Sequence, residues 1–499
     1  MNRLHFAPRS NWMNDPNGLI FHRGRYHLYF QCNPIGIDHR NLSWGHASST
    51  DLVHWEEHPV AIPFDGSEEV FSGSIVLDAG NTSGFGTDAD PALVAIYTSE
   101  STERAHEAQS LAFSTDDGMT WTKYARNPVL DRDSAHFRDP KVIRWENGAE
   151  SYWVLLAVEA EDRQVVLYRS DDLLTWTHLS SFGPEGAVGG VWECPDLFPL
   201  QVAGTQQTRW VLIVSLNPGG IAGGSGTQYF IGEFDGREFT PEERHPETVP
   251  DDEGGMLALD WLDYGRDCYA GVTFAGLPDD HRTLIAWMSN WDYARTFPVA
   301  PERPSRGRMT LPRRLSLVPA GGRLVLRQEP IAPAVVGIAR LEDIEAGETL
   351  PTPVPIPAPG SAGRRIEFAV ALGDARGFAV RFEAGDRSLE LAYDAEAQQL
   401  SCDRRGASQG FPEGFASVQR MPVAAAPEIP LALWLDEDSV EIYAEDGTRV
   451  LTDLIGDLRA PSMSVRGVGG TVRLVHLTAS DVTRADASAA PVAALHQMN

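Results

Sequence analysis

The chain contains little cysteine. Only four of its 499 residues are of this type, namely Cys32, Cys194, Cys268 and Cys402. They are widely scattered, with no Cys-X-X-Cys pair and no histidine pair at zinc-binding spacing. The pattern excludes the disulfide scaffold of a small secreted domain, while a single disulfide stays open.

Positive charge is also scarce. Lysine and arginine total 41 against 70 aspartate and glutamate residues, which gives a formal net charge of -29. Nucleic acids and anionic membranes both require a basic surface, so we predict that neither is a partner. The same excess of acid disfavours a polyanionic substrate and favours a neutral ligand.

Long apolar runs are missing as well. No run approaches the roughly 18 apolar residues of a membrane-spanning helix, and residues 1–8 lack the apolar core of a signal peptide. The sequence as given predicts a soluble, cytoplasmic protein; a secreted protein whose signal had been removed would show the same pattern. No pattern indicates an oligomeric state.

Helical periodicity is nearly absent from residues 1–327. Short runs typical of β-strands recur there, and Gly, Asp, Asn and Pro turns separate them. Examples are residues 26–30, 74–77, 93–97, 153–158, 165–168, 210–214 and 283–287. This texture predicts an all-β domain.

A weak internal repeat indicates which all-β architecture is present. Residues 49–55, 114–121 and 170–176 each carry a serine, an aspartate two positions later and a closing tryptophan. The middle copy fits the Asp-box hairpin turn found on propeller blades. Repeats at this spacing favour blades over a sandwich. We therefore predict a five-bladed β-propeller over 1–327, with the Asp-box aspartates closing turns and the tryptophans packing between sheets.

The composition changes after residue 327. Prolines are frequent over 328–362, which predicts an extended connection. Alternating strands then return, and about 120 residues of them, 363–485, predict a C-terminal β-sandwich. The Ala-rich residues 486–499 form a tail.

Three acidic motifs stand apart from this background. The first is Asn14-Asp15, within a stretch, 11–18, whose Asn-Asp-Pro and Asn-Gly pairs are typical of a hairpin turn. The others are Arg138-Asp139 and Glu193, each shortly before a proline that favours extended backbone. Any one of these acids alone is more simply a turn cap or an ion-pair partner. In a propeller, however, the strand ends of successive blades meet at the central axis.

Three carboxylates at one axis are suited to glycoside hydrolysis. Cleavage with retention requires two carboxyl groups about 5–5.5 Å apart, one a nucleophile and the other a general acid and base. A third carboxylate can stabilise the oxocarbenium-like transition state. An adjacent arginine and neighbouring like charges would set the different protonation states that these roles require.

The motifs resemble those of glycoside hydrolase family 32, the β-fructofuranosidases, which include invertases, exo-inulinases and levanases. The resemblance runs from about residue 5 to residue 317 and is carried by seven blocks in order. They are residues 12–18 (Trp-Met-Asn-Asp-Pro-Asn-Gly), 43–47, 71–74 (Phe-Ser-Gly-Ser), 137–141 (Phe-Arg-Asp-Pro-Lys), 192–195 (Trp-Glu-Cys-Pro), 286–291 and 308–313. The C-terminal part resembles the family in architecture only.

The resemblance implies a propeller followed by a sandwich and a role for each motif residue. It implies Asp15 as nucleophile, Glu193 as general acid and base, and Asp139 as transition-state stabiliser, with no metal and no cofactor. The implied fructosyl subsite comprises Asn14, Gln31, Phe71, Ser72, Arg138 and Trp291, with Trp12 and Trp44 as its hydrophobic rim. Trp287 is expected in the propeller core, and Cys194 is either a tuning group beside the acid or a small buried filler.

The sequence departs from the family at His39, where many members carry a tryptophan. A smaller, titratable ring replaces a flat apolar wall, which affects the choice of leaving group more than activity. The function expected is a retaining exo-acting β-fructosidase that acts on sucrose or fructans such as inulin and levan. The alternatives are a fructosyltransferase of the same family and a catalytically inactive fructan-binding protein.

Overall fold

The computed structural model describes residues 4–148, 150–300, 304–333, 335–346, 354–355, 363–459 and 461–482. Regular structure in these ranges is almost entirely β-strand, as predicted. One short helix occurs, α1 (Glu253–Ala258), with four single-turn 3-10 helices at Asp279–His281, Ala294–Thr296, Arg405–Ala407 and Glu445–Gly447. None of the helices in the described ranges is long and apolar enough to cross a lipid bilayer.

The first three blades are antiparallel sheets of consecutive strands. The first comprises β1 (Asn11–His22), β2 (Arg25–Asn33), β3 (Ser43–Ser49) and β4 (Glu56–Ile62). The second comprises β5 (Glu68–Leu77), β6 (Leu93–Ser101), β7 (Glu107–Ser114) and β8 (Thr122–Lys123), with β9 (Leu130–Ser134) also paired to β7. The third comprises β10 (Phe137–Asn147), β11 (Glu150–Glu159), β12 (Gln164–Ser170) and β13 (Thr177–Phe182).

Two further sheets complete the propeller. The fourth blade comprises β14 (Val191–Gln201), β15 (Thr208–Asn217), β16 (Gly226–Phe234) and β17 (Phe239–Pro241). The fifth comprises β18 (Tyr269–Thr273), β19 (Thr283–Trp287), β21 (Arg313–Ala320) and β22 (Arg323–Pro330). Between β19 and β21 the chain forms β20 (Ser305–Arg306), which pairs in parallel with β1 and so joins the last blade to the first.

The five blades close into a ring around their first strands. Each of β1, β5, β10, β14 and β18 contacts the first strand of the next blade, and β18 contacts β1. The starts of the first strands therefore meet around one axis, and the three acidic motifs of the sequence lie on β1, β10 and β14.

The three Asp-box segments are turns between the third and fourth strands of the first three blades. In each, the serine hydroxyl donates to the aspartate, the aspartate accepts backbone N–H groups of the turn, and the tryptophan indole donates to a turn carbonyl. Trp121 of the second blade packs edge-on against Tyr29 of the first. The predicted structural role of these residues is confirmed.

The C-terminal domain is a sandwich of two six-stranded sheets. One has the order β23-β34-β25-β30-β31-β32 and the other the order β24-β33-β26-β27-β28-β29. The strands are β23 (Val335–Ala346), β24 (Val354–Pro355), β25 (Gly363–Ala371), β26 (Gly377–Ala384), β27 (Arg387–Asp394), β28 (Gln399–Asp403), β29 (Val418–Pro422), β30 (Glu428–Leu435), β31 (Ser439–Ala444), β32 (Arg449–Leu454), β33 (Ser462–Val468) and β34 (Val472–Val482). Apolar side chains facing inward from both sheets form its core.

The segment expected to be only a connection, 328–362, contains a long sandwich strand. β23 pairs with β34 over most of its length, so this part of the chain belongs to the sandwich sheet. The prolines of this segment lie outside β23. A proline within the strand would remove a hydrogen bond of the ladder. Residues 347–353 and 356–362 and the tail at 486–499 lie outside the described residues.

Buried ion pairs join the propeller to the sandwich. Arg313 of β21 is fully buried and donates to Asp263 at 3.0 Å and to Glu441 of the sandwich at 2.9 Å. Arg404 of the sandwich, also buried, donates to Asp267 of the propeller at 2.7 Å. Charges buried at an interface require fixed partners, so these contacts favour one relative position of the two domains.

Candidate active site

A β-bulge interrupts the first strand of every blade near the axis. The strand register shifts between Met13 and Pro16, Val70 and Gly73, Arg138 and Lys141, Glu193 and Asp196, and Tyr269 and Val272. A bulge places two residues opposite one and redirects a side chain. The hairpin turn expected at 11–18 is therefore a bulged strand, because these residues pair with β2 on one side and β20 on the other.

Proline and left-handed backbone mark these bulges. Asp139 has φ of 62° and Cys194 has φ of 49°, a region that L-residues rarely adopt. Pro140 and Pro195 directly follow them, at points where the ladder hydrogen bond is already missing. The Asp-Pro and Cys-Pro pairs in the sequence thus reflect the bulge rather than a turn.

One cavity of about 400 Å³ lies where the bulged strands meet. It brings together nine of the eleven side chains expected at the site. Its lining comprises Asn14, Asp15, Gln31, Phe71, Ser72, Arg138, Asp139, Glu193 and Trp291 of the predicted set, and His39, Leu42, Asn217 and Arg295 in addition. Among the described residues, no cluster of three or more His, Cys, Asp or Glu side chains is arranged to hold a metal ion.

The two oxygens of Asp15 have different surroundings. Its Oδ2 accepts a hydrogen bond from the Ser72 hydroxyl at 3.0 Å, and the Cys194 thiol lies 3.7 Å from the same oxygen. Its Oδ1 is buried and has no hydrogen-bond partner in the described part of the chain. One oxygen is therefore fixed by a hydrogen bond, and the other has its hydrogen-bonding capacity unused.

Asp139 is held by backbone and thiol contacts. The backbone N–H of Cys194 donates to Asp139 Oδ2 at 2.9 Å, and the Cys194 sulfur lies 3.6 Å from that oxygen. The backbone N–H of Asp139 in turn donates to the Thr98 hydroxyl at 2.8 Å. Cys194 contacts both carboxylates, and burial among these charges raises the pKa of its thiol, so the thiol stays neutral. Both roles expected for Cys194, filler and neighbour of the acids, fit this position.

Glu193 lies between an arginine and a tyrosine. Arg138 Nη1 donates to Glu193 Oε1 at 3.0 Å, and the Tyr269 hydroxyl donates to Glu193 Oε2. Both contacts hold the carboxyl group in one orientation. Because these three groups come from three blades, only closure of the propeller sets this geometry.

Crowding of carboxylates favours protonation in the cavity. Burial and the charges of Asp139 and Glu193 raise the pKa of Asp15 to about 7. Burial and the charge of Glu193 raise the pKa of Asp139 to about 6. Asp15 and Asp139 are therefore partly protonated in weakly acidic solution, so the cavity holds a proton that its carboxyl groups can exchange.

The structure corrects the positions expected for Trp12 and Trp44. Both are fully buried and neither lines the cavity, so they do not form its rim. The Trp12 indole donates to Asn14 Oδ1 at 2.7 Å, and the Trp44 indole donates to the Phe71 carbonyl at 2.9 Å. They stabilise the bulges of β1 and β5, because each indole donates a hydrogen bond to an oxygen atom at a bulge. Trp287 is buried in the core as expected.

Several residues around the cavity were missed by sequence reasoning. Tyr269 heads the first strand of the fifth blade, the position that supplies site residues in the other four blades, and this equivalence could have identified it. Asn217 and Arg295 lie in no recognisable motif. Their proximity depends on non-local packing, which leaves no local sequence signal.

His39, the departure from the family pattern, does line the cavity. Its ring contacts Trp291 edge-on at a centroid distance of 4.9 Å and Trp12 at 5.5 Å. Burial and the charge of Arg295 lower the pKa of His39 to about 4. The imidazole is therefore neutral at pH 7 and presents a small polar edge instead of a large ring.

Comparison with known proteins shows the family of this chain. Residues 5–330 match the model of the glycosyl hydrolases family 32 N-terminal domain, and residues 342–481 match that of the family 32 C-terminal domain. The extracellular exo-inulinase inuE of Aspergillus niger is 39% identical over 495 residues, covering 90% of this chain and 88% of that protein. The levanase of Bacillus subtilis is 38% identical, covering 95% of this chain and 69% of that protein.

The fold comparison gives the same result. The crystal structure of exo-inulinase from Aspergillus awamori superposes with a TM-score of 0.88 at 35% identity, covering 97% of this chain and 98% of that one. The fold and site therefore define a glycoside hydrolase of the β-fructofuranosidase type. The chain belongs to glycosyl hydrolases family 32.

Proposed function

We propose that the protein is a retaining, exo-acting β-fructosidase that releases terminal β-D-fructofuranosyl units from sucrose and fructans. The observation that carries this proposal is the meeting of Asp15, Asp139 and Glu193 from three blades in one cavity. The names of the relatives, exo-inulinase and levanase, support the substrate class.

In the first step, the Asp15 carboxylate attacks the anomeric C2 of the fructosyl unit. Glu193 donates the proton exchanged among the crowded carboxyl groups to the departing glycosidic oxygen, so that Asp15 reacts as its anion and the leaving sugar departs neutral. A covalent fructosyl-enzyme ester forms at Asp15. The hydrogen bond from Ser72 to Oδ2 fixes the orientation of the Asp15 carboxylate.

In the second step, Glu193 acts as the base. It takes a proton from water, which attacks C2 and breaks the ester to Asp15, so fructose leaves with the original configuration. Asp139 contributes negative charge beside the oxocarbenium-like transition state, and its bonds from the Cys194 N–H and its position on a bulge fix it there. Asn14, Gln31, Phe71, Ser72, Arg138 and Trp291 hold the fructosyl unit.

A product time course on sucrose, inulin and levan tests the proposal. We expect fructose as the only product from the polymers, because the cavity accommodates a chain end. Early appearance of oligosaccharides would instead indicate endo-cleavage or fructosyl transfer. In aqueous methanol, retention predicts methyl β-D-fructofuranoside by NMR, and the α-anomer would contradict the double displacement.

Replacing His39 with tryptophan is expected to change the preference among leaving groups. A larger ring packed against Trp12 and Trp291 must extend into the cavity and adds stacking area worth about 0.5–1.5 kcal/mol. The ratio of kcat/KM on sucrose to that on inulin should therefore change by about two- to tenfold. His39→Phe introduces an apolar ring that is smaller than the indole and so tests whether the size of the ring matters. An unchanged ratio in both variants would contradict a role of residue 39 in leaving-group preference.

We also propose that the protein is secreted rather than cytoplasmic. The Aspergillus niger relative is an extracellular enzyme, and fructan polymers do not cross membranes. Measurement of fructosidase activity in the medium and in the cell fraction of the source organism tests this location.

A further inference from the structure

One arginine in the site is bound by two carboxylates, only one of which lines the cavity. Arg138 donates from Nη1 to Glu193 at 3.0 Å, and from Nε to Glu107 Oε2 at 2.9 Å. Its Nη2 lies 2.9 Å from the second oxygen of Glu107. The contact with Glu107 is thus bidentate, the stronger kind of arginine–carboxylate pair.

Glu107 has no part in the mechanism as described above. It begins β7 of the second blade, is only 3% exposed and is not among the cavity-lining residues. A buried carboxylate is costly unless it is paired, and the partner it uses is the one that also binds Glu193. The position of Glu107 therefore bears on Glu193 through Arg138 rather than through contact with substrate.

We propose that Glu107 is a positioning residue that shares Arg138 with Glu193 and so keeps the catalytic proton on Glu193 over a wider pH range. This inference rests on the proposed function, in which Glu193 must donate a proton to the leaving group.

The charges of Arg138 and Glu107 determine the direction of the effect on Glu193. An arginine bound to Glu193 alone would favour the Glu193 anion, so less of the protonated form would be present to act as general acid. The Glu107 anion neutralises part of that charge and also repels a second negative charge at Glu193. Both effects oppose loss of the proton.

The effect of Glu107 on Glu193 increases as the pH rises, because Glu107 itself becomes ionised. Burial raises the pKa of Glu107 to about 7, although Arg138 opposes this. Glu107 is therefore about half ionised at pH 7, and the negative charge that it places on Arg138 increases as the pH rises through that value.

Several other charged or polar groups lie near the carboxyl groups of Glu107 and Glu193. Asp139 and Glu100 face Glu107, and Arg138 additionally contacts His136 Nδ1 at 3.2 Å. Glu193 is faced by Arg138, Tyr269, Asp15, Asp139 and Cys194. Of these groups, only Arg138 bonds to both Glu107 and Glu193, so it transmits the effect.

The test is the pH profile of kcat/KM on sucrose for Glu107→Gln. The basic limb, where Glu193 loses its proton, should move to lower pH by about one unit, the lower end of the shift expected from one nearby charge. Glu100→Gln is the matched control: Glu100 lies directly opposite Glu107 on β6, and its replacement removes the same charge. No hydrogen bond links Glu100 to Arg138 among the described contacts. The basic limb of the Glu100→Gln profile should therefore move by less than a third of the shift seen in Glu107→Gln.

A second variant separates this role from a structural one. Glu107→Asp keeps the charge with a shorter reach, so its basic limb should stay close to that of the wild type even if kcat falls. A Glu107→Gln profile that coincides with the wild-type profile, or an equal shift in Glu107→Asp or Glu100→Gln, would overturn the proposal. Absence of fructosidase activity in the wild type would instead refute the proposed function.

Discussion

Replacing Asp15 with asparagine will lower kcat on sucrose by about four orders of magnitude or more, the scale seen when a covalent nucleophile is removed. The amide cannot form the fructosyl ester, so the covalent intermediate is lost. Glu193→Gln will cause a loss of similar size on sucrose, because the leaving sugar then departs without a proton. Steady-state kinetics measure both losses.

An activated substrate distinguishes the two roles. With a nitrophenyl β-fructofuranoside, the leaving group requires no protonation, so Glu193→Gln should release a burst of nitrophenol and then stall at the ester. Asp15→Asn should give no burst. Asp78→Asn is the matched control, since Asp78 is equally an aspartate held by neighbouring hydroxyl and N–H groups, but lies outside the cavity. Near-normal turnover of sucrose by either site variant would refute the assignment.

Removal of the buried Arg313 ion pairs at the junction of the two domains is expected to lower the stability of the protein. Arg313→Ala should lower the free energy of unfolding by about 3–5 kcal/mol, because it removes the cation that pairs with two buried carboxylates, Asp263 and Glu441. Burial alone would raise the pKa of Glu441, but the charge of Arg313 and the hydrogen bond from His5 lower it to about 2. Glu441 is therefore ionised at any pH where the protein is assayed, and the loss should persist from pH 5 to pH 8.

Denaturant unfolding of variants at this junction measures the effect. Arg327→Ala is the control, because Arg327 pairs with Asp446 at the exposed surface and should contribute less than about 1 kcal/mol. In the double variant Arg313→Ala with Glu441→Gln, the loss should be smaller than the sum of the two single losses. Additive losses, or a small loss in Arg313→Ala, would show that the buried ion pairs do not stabilise the junction.

Much of the fold was predictable because its signals are local. The alternation of apolar residues marked the strands, and the repeated Ser-X-Asp segments marked turns whose hydrogen bonds the structure shows. The long strand at Val335–Ala346 was obscured by flanking prolines, which made the whole of 328–362 read as a connection. Pairing with β34 overrides that local composition.

The site was predictable only in part. Its three acids were found from their motifs, but the tryptophans beside them were placed wrongly. Trp12 lies two positions before Asn14, and Trp44 lies two positions after Leu42, a spacing that a regular strand would place on the same face as these cavity residues. The bulges then decide which side chain reaches the cavity, and no local pattern distinguishes a bulge from the turn expected at 11–18.

The sequence by itself determined an all-β chain in two parts and the acids that could carry out glycoside hydrolysis. The first conclusion rests on periodicity and turn residues, which act over a few positions, and the second rests on short motifs and their resemblance to glycoside hydrolase family 32. Only the tertiary structure decided that Asp15, Asp139 and Glu193 share one cavity, and that Arg138 is divided between Glu193 and Glu107. Those relations join residues from different blades, and closure of the ring brings together atoms that no local interaction connects.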